Sequence, residues 1–109
     1  MTRERKKWDR WELRLRLFSR WGYACSICGR PLAADSASAQ LAHRIANTKA
    51  NRKRYGVLVI DHEANLRPVC SLTCNDKANI GGRPVEAALL AAQIRGIIAQ
   101  AAQSPSGAT

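Results

Sequence analysis

From Trp8 the chain reads as an amphipathic segment: Trp11, Leu15 and Phe18 recur at helical spacing, while Arg10, Arg14 and Arg20 fall on the other side. Residues 11–17 also alternate with period two, which is strand spacing. Segment length, good helix formers and Gly22 just past the end decide for a helix. Trp8, Trp11 and Trp21 are expected to anchor a core rather than to stack on bases. Residues 25–30 form a tight knuckle with Gly29 at its turn, and residues 33–39 are a small, polar loop. Residues 40–45 suit an extended segment with Leu41, His43 and Ile45 on one face. Thr48 is placed to cap a short basic helix that stops at Gly56, and residues 57–60 are a brief apolar run. Residues 65–70 return as a second extended piece, and residues 75–80 fit a short helix ended by Gly81 and Gly82.

Pro84 opens the longest predicted helix, with Leu90, Ile94, Ile97, Ile98 and Ala101 in one stripe. Glu86 and Arg95 are its only charges, so much of its circumference must be covered. Packing against the N-terminal helix is the expectation, and a homodimer through this helix is the alternative. Residues 1–7 read as a basic disordered arm, 8–103 as one domain, and 104–109 as a loose tail.

Composition adds a constraint. The chain has 109 residues and only six aromatics, a core so thin that a metal or a disulfide is expected to staple it. The first residues are basic rather than apolar, and no stretch approaches the length of a membrane span, so a cytoplasmic protein without a membrane partner is expected. In that compartment paired thiols read as metal ligands.

Charge points to a partner. Eighteen Lys and Arg against eight Asp and Glu give a net charge of +10, which suits a polyanion, and nucleic acid is the expected one. Eight of the cations fall in the first twenty residues, and Lys49, Arg52, Lys53 and Arg54 form a second group.

Four cysteines stand in two pairs, Cys25-x2-Cys28 and Cys70-x3-Cys74, and both histidines, His43 and His62, lie between them. Two short thiol pairs each supply one edge of a tetrahedron, the coordination of structural Zn²⁺. The intervening chain then becomes a closed loop that carries a histidine. A redox role for Cys25 and Cys28 is disfavoured, since no βαβ pattern surrounds them.

With such a cage closed, residues 41–45 and 65–70 become two arms of a hairpin and residues 75–79 a helix crossing it, a ββα-metal arrangement. The chain here resembles the HNH endonucleases that carry two zinc-binding cysteine pairs. The resembling residues are the two pairs, His43 within Ala-His-Arg-Ile, and the run from Asn65 through Cys70 to Asn75.

The resemblance implies an α+β zinc-stabilised domain, flanked by an N-terminal and a C-terminal helix, that hydrolyses phosphodiester bonds in DNA. It implies His43 as general base, Asn65 as the residue fixing the loop beside it, and Asn75 as a ligand of a catalytic Mg²⁺, Mn²⁺ or other divalent ion. Asn79, four residues on, shares the face of Asn75 and is a further candidate ligand of the same ion. Lys77, Lys49 and Arg52 to Arg54 would hold the flanking phosphates.

Two positions depart from the family pattern. Ala42 stands where the family has an Asp or His metal ligand, and the second cysteine pair has one extra residue. Asp61 and His62 are the nearest substitutes for the missing ligand. Asn75 also reads as a helix cap. The alternative function keeps the zinc and the charge without catalysis, as a nucleic-acid-binding module, and a third uses the apolar last helix to bind protein.

Overall fold

The structure is a computed structural model that describes residues 10–103; the expected basic arm, Trp8 and the tail lie outside the described residues. At its centre two short antiparallel strands pair, β1 (Gln40–His43) with β2 (Leu66–Val69). Gln40 faces Val69, Leu41 faces Pro68, Ala42 faces Arg67 and His43 faces Leu66. Leu41, Ala42, Leu66 and Val69 are buried, so this small sheet is a core element despite its length. Between the strands the chain makes α2 (Lys49–Tyr55), α3 (Val57–Ile60) and a single 3-10 turn (Glu63–Asn65). Then α4 (Leu72–Ala78) crosses the hairpin, which completes a strand–strand–helix unit within an α+β fold.

The first helix, α1 (Trp11–Arg20), is where the sequence predicts it but turned on its axis. The buried face is Leu13, Leu17 and Phe18, while Leu15 and Trp11 are exposed. Trp11 is therefore not a core anchor; Phe18, fully buried, takes that place. Trp21 is half-buried, with the Arg67 guanidinium 4.6 Å from its ring centre. The turn brings Arg14 inside, at 5% exposure. Its guanidinium donates to the carbonyls of Ala34, at 2.6 Å, and Ala39, and lies 5.1 Å from the Phe18 ring centre. Two loop carbonyls facing inward need donors, and a side chain expected at the surface supplies them.

Local chemistry sets the other boundaries. The Thr48 hydroxyl accepts from the Asn51 amide at 3.1 Å, and α2 stops at Gly56, whose φ of 94° is in the left-handed range. Helix α4 begins before residue 75 because the Ser71 hydroxyl accepts from the Cys74 amide at 3.2 Å. Ser71, not Asn75, is its cap.

The last helix, α5 (Pro84–Gln103), buries Ala87, Leu90, Ala91 and Ile94. Ile97 is 46% exposed and Ala101 is exposed, so the buried stripe lies nearer the start of the helix than the pattern predicts. Its partners are Val59 and Ile60 of α3 with Ile45, Ile80 and Tyr55, rather than the apolar face of α1. The α1 residues belong instead to a first cluster with β1, β2, α4 and the cysteines. By length and composition alone, Pro84–Ala102 is long and apolar enough to cross a membrane, with a mean hydropathy of 1.2. The expectation that no stretch approaches such a length therefore fails. The inward side of α5 is nonetheless packed on the second cluster.

Candidate functional site

The four sulfurs of Cys25, Cys28, Cys70 and Cys74 lie within 4.8 Å of one another. Cys28 Sγ is 3.5 Å from Cys70 Sγ, and Cys70 Sγ is 3.8 Å from Cys74 Sγ. Metal–sulfur bonds of about 2.3 Å in a tetrahedron set the sulfurs about 3.8 Å apart, so this donor set fits zinc. The first pair sits in a knuckle closed by Cys25 N–H to Arg30 C=O at 2.8 Å and Gly29 N–H to Cys25 C=O at 3.0 Å. Gly29 takes a φ of 78° there, a conformation that side chains strain to adopt. The amides of Ile27 and Cys28 point at Cys25 Sγ, at 3.4 and 3.5 Å.

Those amides change the thiol chemistry. Burial pushes the Cys25 thiol up, but the amides of Cys28, Ile27 and Cys70 together outweigh it and bring the group down to about 6. The hydrogen bond with Cys28, and then burial, push Cys70 up to about 11. Metal binding must displace the protons that remain, so affinity rises with pH.

Of the second pair, Cys70 follows β2 and Cys74 lies on α4, and α4 forms one wall of a cleft of about 330 Å³. His43 at the end of β1, Asn75 on α4 and Asn79 just past its end all line that cleft, together with Gln40 and Asn47. Asn75 donates to Gln40 Oε1 at 2.9 Å, which joins helix to strand across the opening. Asn79 Oδ1 accepts from the Gly81 amide at 2.7 Å, so that amide oxygen also holds the turn after α4.

Asn65 lies behind His43 and is fully buried. Its Oδ1 accepts from Ile45 N–H at 2.8 Å, and its Nδ2 donates to the carbonyls of Ile45 and Ile60 at 3.1 and 2.9 Å. One amide thus ties the end of β1 to the end of α3. The His43 side chain is 9% exposed, and its Nε2 is 4.0 Å from Asp61 Oδ1. Burial pushes this imidazole below its ordinary value, Asp61 pulls it back up, and Arg52 lowers it further. It is therefore neutral at pH 7, the form able to accept a proton.

Asp61 is itself gripped by Arg52, through contacts of 3.0 and 3.3 Å, and the same guanidinium donates to Asn47 at 2.9 Å. Arg52 is thus engaged in an ion pair, whereas Lys49, Lys53 and Arg54 are exposed along α2. The His62 imidazole faces away from the cleft: Nδ1 accepts from the Ala64 amide at 3.0 Å and caps the 3-10 turn. Ala42 is fully buried in the sheet. Lys77 lines a different cleft from His43.

Sequence reasoning missed the polar lining residues Gln40 and Asn47 and, above all, Arg14. A charged residue on a helix reads as surface, and only the fold shows that it faces two loop carbonyls. A hard divalent ion prefers carboxylate oxygens, and the lining residues of this cleft offer one imidazole and neutral amides. Asp61 is the carboxylate nearest to His43, and it would share an ion only by releasing Arg52.

The class this defines is an α+β domain with a four-thiol centre beside a histidine-containing cleft. Comparison with known proteins adds no relative: no family model, curated protein or solved structure matches the chain.

Proposed function

We propose that the protein is a metal-dependent endonuclease of the HNH type that hydrolyses phosphodiester bonds in DNA, with zinc in the thiol cage as a structural element. The observation that carries this is the gathering of His43, Asn75 and Asn79 on one cleft, with Asn65 locking the chain behind the imidazole. In this scheme neutral His43 takes a proton from the attacking water. Asn75 and Asn79, with Asp61 once it is released from Arg52, are the residues that would hold the catalytic ion. Such an ion, when bound, offsets the charge that builds on the leaving oxygen. Lys49, Lys53 and Arg54 hold flanking phosphates without reading sequence.

Incubation of supercoiled plasmid with Mg²⁺ or Mn²⁺ tests this. The wild type is expected to nick or linearise it, and His43→Ala, with its zinc retained, to lose about 100-fold or more of that rate.

A second reading, a basic zinc module that binds nucleic acid without cutting it, is favoured by one specific observation. Among the described residues the four cysteines are the only cluster of three or more His, Cys, Asp or Glu able to share an ion. If wild type and His43→Ala both leave the plasmid intact yet retard it in a gel with steep salt dependence, this reading replaces the first.

A further inference from the structure

Across α4 from the His43 cleft lies a second cleft of about 230 Å³, lined by Arg44, Arg67, Lys77 and Arg83 together with Ser26 and Glu86. It shares no lining residue with the first. The helix explains the division: residues two apart project about 160° from each other, so Asn75 and Lys77 leave α4 on opposite sides.

Four cations therefore face one carboxylate. Glu86 is 3.2 Å from Arg83, and both side chains are about half exposed (47% and 58%). A pair that open to water is worth less than about 1 kcal/mol and leaves most of the local charge in place. Among the described residues Arg44, Arg67 and Lys77 form no ion pair. The Arg67 guanidinium, which also lies over the Trp21 ring, is pressed below its ordinary value mainly by burial and then by the neighbouring Arg44.

The Ser26 hydroxyl points to the same conclusion independently. It is buried and has no hydrogen-bond partner among the described residues. A polar group in that state calls for a ligand, ion or water to satisfy it. An oxyanion fits all of these groups at once: it accepts from guanidinium, ammonium and hydroxyl donors and carries the missing negative charge.

We infer that this cleft binds a phosphate group through Arg44, Arg67, Lys77, Arg83 and the Ser26 hydroxyl. The phosphate chemistry stands on the cleft itself. Its assignment to a nucleic-acid backbone rests on the functional reading above, and a free phosphate anion is the other source of the same chemistry.

The test uses the full chain, purified with its metal, as wild type, as the double variant Arg44→Gln, Arg83→Gln, and as Lys77→Gln alone. Binding of a short DNA duplex is followed by fluorescence anisotropy over a salt series, and inorganic phosphate is titrated while amide resonances are followed by NMR. For a backbone phosphate, the double variant weakens duplex binding about tenfold at low salt and flattens the log–log salt slope by about 2, and Lys77→Gln flattens it by about 1. If duplex binding is unchanged but inorganic phosphate shifts the Ser26 amide resonance in the wild type and not in the variants, the cleft takes a free phosphate. Unchanged DNA slopes together with no phosphate-dependent shift overturn the proposal. Lys77→Gln, an exposed substitution, keeps the test decisive if the double variant misfolds. Because only binding is read, failure here is distinct from failure of plasmid cleavage, which is judged on His43.

Discussion

Asn65 places a single amide at the meeting point of three backbone groups, and nothing smaller or apolar can replace it. Asn65→Ala strands buried backbone groups, each at about 1–3 kcal/mol, so a loss of about 3 kcal/mol or more is expected in urea unfolding. His43 then loses its fixed position even where the zinc is kept. Sequence reading singled out Asn65 by its place after His43 and before Cys70, while its burial and its bonds to Ile45 and Ile60 are visible only in the fold. Arg14 was not legible. Periodicity alone places it on the polar side of α1, and its burial depends on carbonyls twenty and twenty-five residues away. Arg14→Met keeps much of the length but removes the donors. It is expected to destabilise the protein by several kcal/mol, measured by the same unfolding curve, because two buried carbonyls lose a charged donor.

Among the elements, α1 is tied to the 3-10 turn by Glu63, which Arg16 and Arg20 approach at 2.7 and 2.9 Å. Burial pushes the Glu63 carboxyl up, but the hydrogen bonds and charges of the two arginines outweigh it and hold it below its ordinary value of 4.5. Its contribution is therefore complete above pH 4.5 and is lost as the pH falls through the lower value of the folded state. Both arginines are half exposed, so Glu63→Gln should lower stability by no more than about 1 kcal/mol at pH 7. Thermal melts of the two proteins should differ at pH 7 and converge on acidification past that window. Elements with local punctuation were readable from sequence: Thr48 and Gly56 bound α2, and Pro84 opens α5. The start of α4 was missed by three residues because Ser71, inside the cysteine spacer, acts as a cap. Ser71→Ala should lower stability by about 1 kcal/mol.

At the scale of the whole molecule, two clusters divide the interior, and only the first contains cysteines. Strong chelation should therefore release about one equivalent of zinc per chain and expose the amides of α1, β1, β2 and α4 to hydrogen exchange before those of α5. Equal and simultaneous exposure of both clusters would show that they fold as one unit. The sequence pattern could not foretell this division, since α5 packs on α3 and Tyr55 rather than on α1, and a stripe of apolar residues does not name its partner. The same architecture gives the spacer between Cys70 and Cys74 a rotational meaning. Cys74 lies on α4 while Cys70 precedes it, so the number of residues between them sets the phase at which the helix leaves the cage. Shortening that spacer by one would turn α4 by about 100° like a key in a lock, withdrawing Asn75 and Lys77 from their separate openings in a single motion.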